Sequence, residues 1–327
     1  MSRKIDVIIP TYRPGEELFE LLDAIKGQSI HVNRIILMNT EKSFFKSLTK
    51  EMDFEKEYPG VEVYHLSKKQ FDHGATRRSG VEKSDAEVFV MLTQDAMPAN
   101  DHLLEELTKD LTGDVAVAYG RQLPRRDSGS LERVSRKFNY PEKSYFKGKE
   151  DLEKLGIKTY FCSNVCAAYR RDVYEKLGGF PSRAIFNEDM IYAAKAVQAG
   201  WRIAYEADAM VIHSHNYSCM QQFHRNFDLG ASQADHPEVF ASVKSESEGK
   251  KLVKYTVKAL KDRGQLGMVP YFFTQSGFKY AGYLMGKHYE KLPKWLILWA
   301  SDNKTYWKRS WKSDTKSTQK KHRTNTN

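Results

Sequence analysis

"VFVMLTQDAMP", residues 88–98, begins as a buried strand and ends on a carboxylate. Val88 to Leu92 is a short apolar run rich in strand formers. Thr93, Gln94 and Asp95 then place a hydroxyl, an amide and an acid at its tip, and Pro98 closes the segment. Similar runs flank it. "IDVIIP" leads into the turn-like "TYRPGE" and the periodic "ELFELLDAIKG". "RIILMN", "VEVYHL" and "VAVAYG" repeat the strand signal, with helical stretches such as "ATRRSGVEKS" and "HLLEELTKDL" between them. Strand alternating with helix at this spacing predicts an α/β fold with a mainly parallel sheet covered on both faces. Such sheets bind ligands beyond the carboxyl ends of their strands, where chain order reverses. Asp95 stands at one such end.

The 327 residues, 40% hydrophobic and 29% charged, suit one large soluble domain or a domain with an appendage. No uncharged apolar run approaches the roughly 18 residues of a spanning helix. "MSRKIDVIIPTY" enters a strand pattern without the build of a signal peptide, and Cys162, Cys166 and Cys219 form no disulfide framework, so a reducing cytosol is expected. The net charge of +10 is uneven: residues 249–327 hold 18 Lys and Arg against 4 Asp and Glu, whereas residues 1–248 hold 34 against 38. An acidic body and a basic C-terminal section imply different partners for the two.

Several chemistries are excluded or discounted by what the turns lack. "PTYRPGE" contains no G-x-G-x-x-G, and no G-x-x-x-x-G-K-[ST] occurs, so phosphates are not gripped by a glycine-rich loop. A metal held by hard oxygen ligands such as Asp95 is the alternative; the plain reading is that Asp95 caps a turn. Cys162 and Cys166 with His213 and His215 make a poor zinc set, because the spacing is loose and cysteine is a common small core residue.

"VIIPTYRP", "DHGATRRSG", "LTQDAMP", "NED" at 187–189 and "HSH" at 213–215 come in an order that resembles family 2 glycosyltransferases of the GT-A fold, over about residues 4–230. "FDHGATR", "YGRQLP", "FNYPEKS" and "HSHNYS" look most like bacterial rhamnosyltransferases of rhamnose-polysaccharide assembly. The resemblance implies an inverting, metal-dependent enzyme that uses Mg2+ or Mn2+. The implied donor is dTDP-rhamnose, with another nucleotide-sugar such as a UDP-sugar as the alternative. The implied acceptor is a lipid-linked saccharide at the cytoplasmic face of the membrane.

"TQD" takes the place of the family's D-x-D, with Asp95 as its last aspartate and Thr93 replacing the first. The resemblance assigns Asp95, His213 and His215 to the metal. An H-x-H on a strand turns both imidazoles to one face. It assigns Pro10, Thr11, Tyr12, Glu41, Arg77, Thr93, Gln94 and Arg225 to the donor, although Glu41 also reads as a helix N-terminal charge and Arg225 as a structural ion pair. Ser163, Asn164, Gly179 and Phe180 are assigned to the acceptor. Asp72 and His73 either touch the nucleotide or cap the helix after them. Inversion needs a carboxylate opposite the leaving diphosphate to take the attacking hydroxyl's proton. Asp189 matches the family base and Glu188 is the reserve. Neighbours on a helix point about 100° apart, so only one can face the cavity squarely.

The domains expected are a catalytic unit over 1–231, a helical region over 232–312 and a disordered basic tail over 313–327. "EGKKLVKYTVKALKDRG" reads as a basic amphipathic helix, and Trp295, Trp299, Trp307 and Trp311 lie among Lys and Arg. That pattern suits an anionic membrane surface, or equally packing on the body or in a homodimer. Two other functions fit parts of the sequence. A nucleic-acid binder suits the basic tail but not the acidic body, so no nucleic-acid partner is expected, and a nucleotidyltransferase shares the sheet and metal but releases pyrophosphate.

Overall fold

β1 (Ile5–Tyr12), β2 (Arg34–Thr40), β3 (Val61–Leu66) and β4 (Val88–Leu92) run parallel in the order β3-β2-β1-β4. This is the arrangement in the computed structural model, which describes residues 3–241 and 246–311. The chain moves outward from β1 to β3 and then returns to β1's other side as β4. Chain order therefore reverses between β1 and β4, and their carboxyl ends flank the crevice.

The remaining strands are less regular than strand-helix alternation predicts. β8 (Cys166–Arg170) inserts antiparallel between β4 and β6 (Val115–Leu123), and β6 pairs in parallel with β9 (Arg202–Ile212). β5 (Met97–Pro98) and β7 (Tyr145–Lys147) both add antiparallel to β9. β8 enters the sheet from a distant part of the sequence, which local periodicity does not reveal.

Alternating side chains divide the core into two layers. Val7, Ile9, Leu37, Val88, Val90 and Leu92 face one side, where Leu18, Leu21, Leu22, Leu103 and Leu107 cover them from helices. Ile8, Ile36, Phe89 and Met91 face the other, against Val81, Tyr169, Tyr174, Phe180 and Tyr192. With both faces buried, the strands are apolar at nearly every position, which is why they read as runs rather than alternations.

A third cluster joins the C-terminal section to the body. Phe223 and Phe227 of the helix Cys219–Asp235 pack with Ile297, Ala300, Tyr306 and Trp307. The helix Val269–Lys287 lies against the same helix at glycine contacts: a Cβ on Gly282 or Gly286 would run into the carbonyl oxygens of Phe223 and Phe227. The expected division at residue 231 thus falls inside a helix, and the C-terminal section is packed onto the body. The four tryptophans split accordingly: Trp307 is buried and Trp311 packs against that cluster, while Trp295 and Trp299 are 69% and 50% exposed. Among the described residues no helix is long and apolar enough to cross a membrane. The tail expected to be disordered, 313–327, lies outside the described residues.

Candidate functional site

Beyond the last paired residues of β1 and β4, Ile8 and Met91, side chains take over from the ladder. The Gln94 amide accepts from Tyr12 N at 2.9 Å and donates to Tyr12 O at 3.1 Å. Buried Thr11 donates to Asn39 Oδ1 at 3.1 Å, and the Glu41 carboxylate accepts from Lys68 N. Gln94, Thr11 and Glu41 therefore brace the crevice. None of these three, nor Pro10 within β1, is among the residues that line the two cavities at the crevice, so their expected contact with a donor rests on the family resemblance. Tyr12 does line a cavity.

Asp95, at the tip of β4, meets two imidazoles just beyond β9. Its Oδ2 lies 3.4 Å from His213 Nε2 and 3.1 Å from His215 Nε2, and the two nitrogens are 3.1 Å apart. This is the one group of three or more potential ligands found among the described residues; Cys162 and Cys166 take no part. Gln122 orients the set. Arg136, which can only donate, contacts Gln122 Oε1, so that atom is the acceptor. The same oxygen lies 3.0 Å from His213 Nδ1, and the amide nitrogen donates to Ser163 Oγ at 3.0 Å. Nδ1 of His213 must then carry a hydrogen, so Nε2, which donates to Asp95 while the imidazole is protonated, is the nitrogen that offers a lone pair to a cation once that proton leaves.

Burial alone would raise the Asp95 acid, but hydrogen bonds from His213 and His215 outweigh it and hold it well below the usual range. Burial lowers His213. A carboxylate, a neutral imidazole with its lone pair turned inward and a second imidazole form a donor set that fits a divalent cation. Thr93 Oγ1, buried beside Asp95, offers a further oxygen.

The two acids expected at the start of a helix sit there, in Glu188–Gln198, but in different states. Glu188 is buried between Arg77 Nε at 3.2 Å and Asn164 Nδ2 at 3.0 Å. Burial pushes its pKa up, yet Arg77, His73 and Asn164 win, and the net shift is down. Asp189 accepts from Asn164 N at 2.9 Å and from Met190 N at 2.8 Å, with no cation in contact among the described residues. Burial first, and then the Glu188 charge, push it up to about 7. Glu188 is a locked anion; Asp189 is poised to exchange a proton near neutrality. Both line a cavity of about 390 Å3 together with Asp95, His213, His215, Arg77, Thr93, Ser163 and Asn164.

Arg225 lies over the rings of Phe186 and Tyr217, at 5.1 and 4.9 Å, with no acidic partner in contact among the described residues. The expected ion pair is absent there, and its charge is available to a ligand. Asp72 caps its helix, accepting from Ala75 N at 3.0 Å, while His73 lines the cavity. Gly179 and Phe180 are not among the residues that line the cavity, and Phe180 is fully buried among Tyr169, Tyr174 and Tyr192. Sequence reading missed Gln122, Arg136 and Tyr217. Tyr217 comes soon enough after H-S-H to suggest itself, but nothing local marks Gln122 or Arg136.

Residues 6–178 match the family described as Glycosyl transferase family 2. The chain is 38% identical over 307 residues to the O-antigen chain rhamnosyltransferase RfbN of Salmonella typhimurium, covering 93% of this chain and 96% of that one. It is 36% identical over 305 residues to the O-antigen chain rhamnosyltransferase WbaN of Salmonella anatum, covering 92% and 95%. Among solved structures it is similar to the mannosyltransferase PcManGT of Pyrobaculum calidifontis in complex with GDP-Man and Mn2+, with a TM-score of 0.60, 14% identity and 89% of each chain covered. That likeness places the sheet and its helices in the same arrangement.

Proposed function

The chain belongs to glycosyltransferase family 2, and on that premise we propose that it is an inverting, metal-dependent rhamnosyltransferase. Its donor is dTDP-rhamnose and its acceptor a growing lipid-linked surface polysaccharide at the cytoplasmic face of the membrane. The observation that carries this reading is that Asp189 and the Asp95–His213–His215 cluster line one cavity. The names of the two Salmonella relatives support the sugar and the polymer.

In the transfer, an acceptor hydroxyl oxygen forms a bond to the sugar's anomeric carbon. The bond from that carbon to the diphosphate oxygen breaks, and the nucleoside diphosphate leaves with the electron pair. The hydroxyl proton passes to Asp189, which is ionised for that purpose above pH 7. Arg225 stands where it can pair with the departing diphosphate. Asp95, His213 and His215 would hold a divalent ion, which would supply charge neutralisation to the same diphosphate. Two imidazoles with one carboxylate favour Mn2+ over Mg2+, which prefers oxygen ligands throughout.

Membrane contact belongs to the C-terminal section. Trp295 and Trp299 lie exposed with Lys291 and Lys294, and Phe273, Tyr280 and Leu284 are exposed along the helix Val269–Lys287. Indole and lysine together suit a headgroup layer.

The test is a donor screen on the full chain. dTDP-rhamnose, UDP-sugars and GDP-mannose are supplied with an acceptor extract, with Mn2+, Mg2+ or EDTA. Release of dTDP from dTDP-rhamnose, lost in EDTA and in Asp95→Asn, is expected. Release of pyrophosphate would mean nucleotidyl transfer, a preference for a UDP-sugar would correct the donor, and full turnover in EDTA would remove the metal.

A further inference from the structure

A second cavity, of about 290 Å3, adjoins the catalytic one and shares His73, Phe186 and Arg225 with it. One wall comes from the N-terminal half, with Tyr12 and Phe71 offering ring faces and Thr40 a hydroxyl. The opposite wall comes from far along the chain: Asp228 of the helix Cys219–Asp235, then Asp302, Asn303 and Thr305. Two buried oxygens on these walls, Thr40 Oγ1 and Asp228 Oδ1, have no hydrogen-bond partner. Buried polar atoms are seldom left so unless something else satisfies them.

The charges give the cavity a direction. Asp302 makes the C-terminal wall acidic, and Asp228 beside it, whose acid burial pushes up to about 7, adds buried oxygens. That wall disfavours phosphate and accepts from N–H and O–H groups, whereas Lys68 is a cation of the N-terminal wall. Arg225, on the shared wall, is the cation that leads toward Asp95 and the imidazole pair, and His73 beside it is kept neutral by burial. A ligand with hydrogen-bond donors and a flat ring at one end and a diphosphate at the other fits that order. The C-terminal segment is also tied down at this place. Arg309 donates to Asp72 Oδ2 at 2.6 Å, to Gln70 O at 2.9 Å and to Phe71 O at 3.2 Å, fastening the segment to the loop that carries Phe71 and His73. Asp302 N donates to Asp228 Oδ2 at 3.1 Å, which fastens the other end.

We propose that residues 301–309 are a strap that completes the donor's nucleoside site. In this arrangement Asp302 and Asn303, with Asp228 and Thr40, surround the base and deoxyribose, whose N3–H and 3′-hydroxyl are the two hydrogen-bond donors they take, and Arg309 positions the strap. The inference rests on the glycosyltransferase reading and extends it, because it assigns nucleoside recognition to the part of the chain outside the matched family region.

Calorimetry on the full chain with Mn2+ tests this, using dTDP and pyrophosphate as probes. Asp302→Asn removes an exposed charge without touching the core. It should weaken dTDP about tenfold, one hydrogen bond to a charged group, and leave pyrophosphate binding unchanged. Arg309→Ala should weaken dTDP alike and speed hydrogen exchange over 301–311, with Arg309→Lys recovering part of both. Unchanged dTDP affinity in Asp302→Asn, or equal loss for dTDP and pyrophosphate, overturns the strap and leaves the glycosyltransferase reading intact. A parent protein that binds pyrophosphate but no nucleoside diphosphate overturns both.

Discussion

Asp189 gives the sharpest expectation because its neighbours determine when it works. Its carboxyl has no cation in contact among the described residues, is buried, and sits beside the Glu188 anion, which together bring its pKa to about 7. A base must be ionised to take a proton. With a pKa near 7, about a tenth of the enzyme is competent at pH 6, half at pH 7 and about nine-tenths at pH 8. Turnover should therefore rise about fivefold from pH 6 to pH 7, a little under twofold from pH 7 to pH 8, and level off above. Glu188→Gln removes one of the two causes, so the midpoint should move to lower pH. Asp189→Asn should cost between about a hundredfold and ten-thousandfold in kcat, with dTDP affinity unchanged.

The same group predicts a stability effect. A folded-state pKa raised above the unfolded value means the folded protein prefers the protonated acid. Stability then falls as pH climbs from about 4 to about 7, by on the order of a few kcal/mol, and is flat above. Asp189→Asn should erase that slope, so the variant gains on the parent at pH 8. Rapid-quench transfer assays and urea titrations across pH 5.5–8.5 measure both. A flat rate profile across this range, or an active Asp189→Asn, would refute the assignment; loss of turnover in Glu188→Gln alone would hand the role to Glu188.

Three more predictions concern other parts of the molecule. Gln122→Ala frees the His213 tautomer and should weaken Mn2+ binding about tenfold to a hundredfold, read directly by electron paramagnetic resonance of the free ion; unchanged affinity would separate Gln122 from the metal. Gly286→Ala forces a methyl group against the Phe227 carbonyl, so the helix pair must separate, and a loss of about 1–3 kcal/mol in denaturant midpoints is expected. Reversing charge at the exposed Lys250, Lys254 and Lys308 should reduce binding to anionic vesicles and spare transfer to a short soluble acceptor; vesicle binding that does not change points instead to a second copy on the aromatic stripe.

Much of this protein is legible in its sequence because the signals are local. A strand buried on both faces must be apolar throughout, so β1, β2 and β4 announce themselves, and a polar "TQD" at a strand tip marks a carboxyl end. The helix begun by Glu188 and Asp189 also comes from short-range geometry, whereas His213 and His215 lie past the end of β9, so strand alternation does not set their turn toward Asp95. What each polar group does there does not. Glu188 and Asp189 are adjacent acids, and only the approach of Arg77, more than a hundred residues earlier in the chain, fixes one as an anion and leaves the other to titrate. Gln94's amide closes on Tyr12's backbone and three tyrosines enclose Phe180, contacts that no local pattern announces. The strap from 301 to 309 is the extreme case: Arg309 meets Asp72 across most of the chain's length, a contact decided by packing of the helices between them. Proton affinity and ligand contact depend on what surrounds a group in space, and that environment is assembled from segments that carry no sign of one another.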